Sequence, residues 1–357
     1  MKESEIMKTP VLVVKGQRFA RHLNGMFHLE NPKRIGAFES VMADASLDGN
    51  WREVIPRPAA AEELALIHTP EYIHKVAATA GKPFTAFDFD TQATADSYET
   101  ARLAVGGVFS LIDAIRAGEG KRGFAFVRPP GHHAERDQAM GFCIFNNAAL
   151  AAAYLRERYG VSRTMIIDID AHHGNGIQNA FYDTDAALYL SFHLFPGFPG
   201  TGKLGEVGRG AGEGFTVNVP MGKGNGDEAF ARIIYHLALP LARAYCPEMI
   251  LVPCGFDLYL HDRLGCMRVT PAGYAMLTHL LIEIAETVCS GQIVFVQEGG
   301  YSMQGIRECG LRVLQELCGI ETLDPKRVEK FKRAIPSRIS VLKKPMEVQR
   351  KYWHLLD

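Results

Sequence analysis

The chain has 357 residues, 47% of them hydrophobic, and a formal net charge of -1. That is ample apolar material for a large core, and it leaves no overall basic field to attract nucleic acid. Seven scattered cysteines (Cys143, Cys246, Cys254, Cys266, Cys289, Cys309 and Cys318) form no Cys-x-x-Cys pair, which argues against a disulfide framework or a cysteine-built zinc site. Residues 1–10 lack an apolar signal core, and no apolar run reaches membrane-spanning length, so the expectation is a cytoplasmic protein with no membrane partner.

Taken in order, short apolar runs at Val11–Val14 and at 123–127 predict buried strands. An alanine-rich helical segment follows at 146–159. Two more strands are expected at 165–169 and 188–192, and a helix over 227–245 from apolar residues three and four apart. A strand at 249–252 leads to a helix over 271–288, with Thr270 as its N-cap and Pro271 at its first position. The last strand is expected at 293–296. Alternating strands and helices predict α/β layers around a central, mainly parallel sheet. With no repeat and no low-complexity linker, residues 1–357 read as a single domain. Its catalytic core runs from about 11 to 317, with a basic C-terminal tail from about 324 to 357. Residues 326–351 hold ten Lys or Arg and two Glu; a solvated face is the expected meaning, an anionic partner the alternative.

Ligand sites in such sheets lie beyond the carboxyl ends of the strands. Here those ends lead into Arg-Pro-Pro-Gly-His-His, Asp-x-Asp-x-His-His, Cys-Gly-Phe-Asp and Gln-Glu-Gly-Gly-Tyr. Asp168, Asp170 and His172 stand at spacing two, which on a strand puts them on one face. Asp170 and His172 suit one divalent cation, and Asp257 is the best third ligand from another strand end. Two carboxylates and an imidazole leave room for water and substrate, the open arrangement of a hydrolytic zinc site. His132 and His133 are a tandem pair fit for proton transfer, and each needs an orienting partner. Asp168 and Asn175 are free on the metal loop for that task. A carboxylate partner favours imidazolium on one histidine; a neutral amide keeps the other near a useful pKa. The Tyr301 phenol can donate to an oxyanion, and Gly300 beside it lets the backbone approach substrate.

Together these residues resemble the zinc-dependent histone deacetylase superfamily, which also contains acetylpolyamine amidohydrolases and acetoin-utilisation proteins. The resemblance runs from about residue 11 to about 317. Its landmarks are Arg128-Pro-Pro-Gly-His-His-Ala-Glu135, Ala139-Met-Gly-Phe-Cys-Ile-Phe-Asn-Asn147, Asp168-Ile-Asp-Ala-His-His-Gly-Asn-Gly176, Pro196-Gly-Phe-Pro-Gly-Thr-Gly202, Gly255-Phe-Asp257 and Glu298-Gly-Gly-Tyr301. The Ala-Met-Gly-Phe-Cys segment and Asn175 look closest to the class II-like branch.

The resemblance implies a three-layer arginase/deacetylase-like fold and zinc-assisted hydrolysis of an N-acyl amide. It implies zinc on Asp170, His172 and Asp257, His133 as general base and then acid, and His132 as its electrostatic partner. It further implies Asp168 orienting His132, Asn175 orienting His133, and Tyr301 polarising the acyl carbonyl. Phe142 and Phe198 match the walls of a narrow channel, with Gly141 at the substrate stem; Asp90 matches either a rim aspartate that grips substrate backbone or amine, or an ordinary loop carboxylate. Leu264 falls where lysine deacetylases carry an apolar residue and one polyamine-selective branch carries glutamate, which favours acyl-lysine over acetylpolyamine. The surrounding His261-Asp-Arg-Leu264 departs from the family's Gly-Asp-Pro-Leu pattern. Ser191 and Phe192, with backbone carbonyls of Asp168, Asp170 and His172, match a structural potassium site; Phe181 and Thr184 mark a second. Relatives that associate make a homo-oligomer a further expectation. A binuclear ureohydrolase would need aspartates where Gly174 and Tyr259 stand, and a non-catalytic acyl-binding module would not need Tyr301 or the histidine pair.

Overall fold

The computed structural model describes residues 9–320, 322–332 and 340–353. Its strands are β1 (Val11–Val14), β2 (Trp51–Glu53), β3 (Thr85–Ala86), β4 (Gln92–Ala93), β5 (Arg122–Ala125), β6 (Thr164–Asp168), β7 (Ala187–Leu194), β8 (Thr216–Met221), β9 (Met249–Cys254) and β10 (Ile293–Gln297). Eight of them form one sheet in the order β2-β1-β5-β10-β9-β6-β7-β8, and every pairing in it is parallel. β3 and β4 make a separate antiparallel ribbon.

Side chains alternate across each strand, and both faces are buried, as an all-parallel sheet requires. Val11, Val13, Phe124, Ile167, Val252 and Phe295 enter one core with the helices Lys33–Met42, Pro271–Cys289 and Met303–Leu317. Leu12, Val14, Ala125, Ile166, Leu251 and Val294 enter the other with Ser97–Arg116 and Asn147–Tyr159. The result is the expected three layers.

The predicted helix over 271–288 is Pro271–Cys289, and the Thr270 side chain accepts from Gly273 N–H as its N-cap. The helix expected over 227–245 is continuous but changes pitch. Asp227–Ile233 passes through a π turn at Ile234–Ala238 into Leu239–Tyr245. Pro240 has no N–H to offer the His236 carbonyl and its ring crowds it; a wider turn relieves both.

The basic tail is more than a solvated face. In the helix Ser340–Gln349, Leu342 and Met346 are buried in the first core while Lys343 and Lys344 face water. Beyond it the Trp353 indole N–H donates to Gly214 O at 3.0 Å, and its ring meets Phe215 edge-on at 5.3 Å. Charge and apolar residues alternate at helical spacing here, so a count of charges alone misses the docked face.

Candidate metal centre and active site

β5, β10, β9 and β6 are neighbours in the sheet, and their carboxyl ends deliver the four loops singled out above. The geometry of the Asp-x-Asp-x-His-His loop differs from expectation. β6 stops at Asp168, so Asp170 and His172 sit in the turn that follows rather than on a strand face. Backbone donors explain the change. Ile169 N–H still bonds across the sheet to Pro253 O, but the next three bond to carboxylates. Asp170 N–H donates to Asp168 Oδ1 (3.2 Å), Ala171 N–H to Asp257 Oδ1 (2.9 Å) and His172 N–H to Asp170 Oδ1 (2.8 Å).

This turn brings Asp170, His172 and Asp257 together, with one donor atom of each within 4.8 Å of the others. His172 Nδ1 lies 3.1 Å from Asp170 Oδ1 and 3.0 Å from Asp257 Oδ2. The outer oxygens are held from behind, Asp170 Oδ2 by Gly299 N–H (2.9 Å) and Asp257 Oδ1 by Ala171 N–H. A Cβ on Gly255 would stand 2.2 Å from Asp170 Oδ2, so only glycine fits there. Both carboxylates are buried, and one imidazole proton can neutralise only one of them. Burial, and then the charge of Asp170, push Asp257 up to about 7. A divalent cation between the three atoms satisfies both carboxylates at once, so this donor set fits a metal.

The two histidines lie beside it with ring centroids 4.0 Å apart and the rings tilted at 47° to each other. His132 Nδ1 lies 3.2 Å from Asp168 Oδ2, which also accepts from the Tyr189 hydroxyl at 2.9 Å. Burial lowers the pKa of His132, but the Asp170 and Asp168 carboxylates outweigh it and raise it to about 10. His133 Nδ1 lies 2.9 Å from Asn175 Oδ1, while Asn175 Nδ2 donates to His133 O and Glu135 Oε1. Those two acceptors fix the amide, so His133 must donate from Nδ1 and present a lone pair at Nε2. Burial, with His132 and His172 adding, holds the pKa of His133 well below the usual histidine range. The two shifts run in opposite directions, His132 toward the charged form and His133, further down than its amide partner alone would set it, toward the neutral one.

Tyr301 is placed by its backbone. Its N–H and that of Ser302 both donate to Asp262 Oδ2, at 2.7 and 2.9 Å. Burial raises its phenol well above the usual tyrosine range, so it stays a donor. Phe142 meets the Tyr301 ring edge-on at 5.6 Å, and Phe198 meets His133 at 4.9 Å. Gly141 and Phe142 both have positive φ, +58° and +69°. A Cβ on Gly141 would lie 2.5 Å from His133 Cδ2. Phe142 takes a conformation that aromatic residues rarely adopt, and it is pinned by Asp90 and Thr91. Gly141 N–H donates to Asp90 Oδ1 (3.2 Å) and Phe142 N–H to Thr91 Oγ1 (3.0 Å).

His133, His172, Tyr301, Gly141, Phe142, Phe198, Asp90 and Leu264 all line one cavity of about 560 Å³. Gly300, at φ +109°, lies just behind Tyr301 against Phe256 and gives its carbonyl to Arg34 Nε–H at 2.8 Å. Ser191 and Phe192 are buried on β7, with Ser191 opposite Asp168 in register and its hydroxyl 2.8 Å from His193 Nδ1. Phe181 ends the helix Asn175–Phe181, and Thr184 Oγ1 caps Ala186 N–H nearby.

Several supporting residues escape a reading of spacing. Buried Arg34 donates to the carbonyls of Glu298, Gly299 and Gly300 and so grips the tyrosine loop from below. Glu298 Oε2 accepts from Gly131 N–H (2.6 Å) and His132 N–H (3.0 Å), tying the histidine loop to the tyrosine loop. His173 Nδ1 meets Thr201 Oγ1 at 2.8 Å, and His193 Nε2 meets Gly202 O at 2.9 Å, which anchors the segment carrying Phe198. The repeated histidine after His172 is the one sequence signal that could have marked this anchor.

A family model described as "Histone deacetylase domain" matches residues 28–317. The chain belongs to the histone deacetylase family. It is 39% identical over 297 residues to "Histone deacetylase 15" of Arabidopsis thaliana, covering 82% of this chain and 53% of that protein. It is 38% identical over 309 residues to "Polyamine deacetylase HDAC10" of Homo sapiens, covering 82% of this chain and 45% of that protein. The chain thus spans about half the length of these two relatives. A solved structure titled "Crystal Structure of HDA15 HD domain" superposes with a TM-score of 0.87 at 34% identity, covering 98% of this chain and 97% of that one. Among the described residues no helix is long and apolar enough to cross a membrane.

Proposed function

We propose that this family member is a zinc-dependent amidohydrolase that removes acetyl or another acyl group from an amine, acyl-lysine first. The observation that carries this reading is the meeting of three metal-competent donors, of which His172 opens with a neutral histidine and a protonated tyrosine onto one cavity. Zinc held by Asp170, His172 and Asp257 supplies, when bound, positive charge that polarises an acyl carbonyl and acidifies water. The Tyr301 hydroxyl donates to the acyl oxygen as negative charge develops on it. His133 accepts the proton of the attacking water at Nε2 and returns it to the departing amine. His132, favoured in its charged form by Asp170 and Asp168, offsets the negative charge gathering at the site. Phe142, Phe198 and Leu264 form an apolar sleeve for the methylenes of the amine.

The name of the human relative favours a second substrate, an acetylated polyamine. Against it, Asp90 is the only carboxylate among the residues lining the cavity. A single metal is the better fit than two, since Gly174 and Tyr259 supply no carboxylate. Structural potassium on Ser191, Phe192 and the carbonyls of Asp168, Asp170 and His172 belongs to the same reading, as do a catalytic core of about 11–317 and a cytoplasmic setting.

A fluorogenic acetyl-lysine assay tests the proposal. Wild type turns over, chelation abolishes activity and one equivalent of zinc restores it. Tyr301→Phe lowers kcat by about 10²–10³ with little change in KM. Equal activity in wild type and Tyr301→Phe would leave the phenol without a role and overturn the mechanism.

A further inference from the structure

A large apolar side chain left in water forgoes the stabilisation that burial would give, and a cluster of them marks a contact surface. Five such side chains are exposed among the described residues, and three of them, Phe27, Leu29 and Phe89, line the mouth of the catalytic cavity. Their exposures are 104%, 53% and 85%. They come from two segments distant in sequence, and both segments are pinned. His28 Nδ1 lies 3.0 Å from both the N and the O of Glu30, and its Nε2 lies 3.2 Å from Asp90 O. Its ring also meets Phe142 edge-on at 4.8 Å. Asp90 in turn receives Gly141 N–H and the Thr91 hydroxyl on Oδ1. His28 and Asp90 thus clip the two segments to each other and to the channel wall. Their neighbours Phe27, Leu29 and Phe89 stand outward as a preformed apolar collar.

The collar is continuous with the cavity. An amine whose acyl end reaches His133 and Tyr301 leaves its other end among these three side chains. We infer that the collar holds aromatic or aliphatic residues flanking an acylated lysine, so that the preferred substrate is a peptide with apolar neighbours rather than a cationic amine. The inference rests on the deacylase reading above and adds the chemistry of what carries the acyl group. Charge supports it. A polyamine brings further ammonium groups, and the lining offers them one carboxylate, already engaged at Oδ1.

The test compares kcat/KM for acetyl-lysine pentapeptides flanked by Phe and Leu, by Gly, or by Lys, with N-acetylspermidine alongside. Each is run on wild type and on a Phe27→Ser, Leu29→Ser, Phe89→Ser triple variant, with masses from light scattering. Apolar flanks exceed glycine flanks by about tenfold, mostly through KM, and N-acetylspermidine falls below both. In the triple variant the ratio of apolar to glycine flanks falls toward one. Equal rates across flanks in wild type, or a preference that survives the triple substitution, overturns the inference. So does a wild-type dimer that the variant dissolves with no flank preference, which assigns the collar to a second copy of the chain. Turnover of the glycine-flanked peptide reports on the deacylase reading separately. If every peptide is inert, polarisation binding of labelled Phe/Leu-flanked acetyl-lysine peptide to wild type and variant decides the collar alone.

Discussion

Asn175 sets the tautomer of His133 through one atom. Its amide oxygen faces Nδ1, and its amide hydrogens are fixed on His133 O and Glu135 Oε1. Asn175→Asp places a carboxylate against that ring, which favours the charged form and raises the pKa of His133. The base must be neutral to accept a proton, so activity is lost as pH falls through that pKa. The acid limb of the kcat/KM profile therefore moves to higher pH in the variant. An unmoved limb would contradict the pairing. The residues of this site were legible to very different degrees. Asp170, His172 and Asp257 follow from carboxylates and imidazole at strand ends, and the structure does bring them together. Arg34 and Glu298 act on backbone atoms of distant loops, and nothing local in a sequence marks a side chain whose partner is a carbonyl or an N–H more than a hundred residues away.

At the level of elements, the runs that form the sheet interior were readable because both faces are buried and the pattern is continuous. Edge strands were not. β2 is three residues of mixed polarity, and β8 carries Asn218 and Pro220 within six residues, so neither makes an apolar run. The helix Ser97–Arg116 hides behind Gly106 and Gly107, which weaken a helical pattern. The structure explains the first of these: a Cβ on Gly106 would sit 1.9 Å from Arg57 O, so the helix admits the 57–59 segment only with glycine there. The tail helix Ser340–Gln349 yields a direct prediction. Leu342 is fully buried, and Leu342→Ala costs about 2–5 kcal/mol, read as a lower urea midpoint. An unaltered midpoint would make the tail a solvated appendage after all. Thr270→Ala, which removes the cap of the helix Pro271–Cys289, costs about 1 kcal/mol by the same measurement.

For the whole molecule, buried neutral histidines make folding sensitive to acid. His68 Nε2 accepts from Asn146 N–H (3.0 Å), so Nδ1–H donates to Glu135 O (2.9 Å), and both ring nitrogens are satisfied in the neutral form. Burial lowers its pKa from 6.5 to about 4. Between those values the unfolded chain binds more protons than the folded one, so stability falls as pH drops below 6.5 and this contribution levels off below about 4. The loss is at most about 3 kcal/mol for this one group. His193, lowered to about 4, acts in the same direction. Urea titrations from pH 7 to 4 should show the decline, and His68→Gln should flatten part of it; an identical slope in the variant would remove His68 as a cause.

The strands that carry the chemistry and the segments that carry the collar are different pieces of chain. Residues 23–31 and 84–91 belong to no strand of the eight-stranded sheet. The outward side chains of Phe27, Leu29 and Phe89 can be exchanged while Glu30 keeps its ion pairs with Arg34 and Arg128, Asp90 keeps Gly141 in place, and Asp170, His172 and Asp257 stay where they are. Clientele can therefore diverge between descendants of one framework without any retuning of the bond-breaking step, and exchanging those three side chains should move the choice of target along with them.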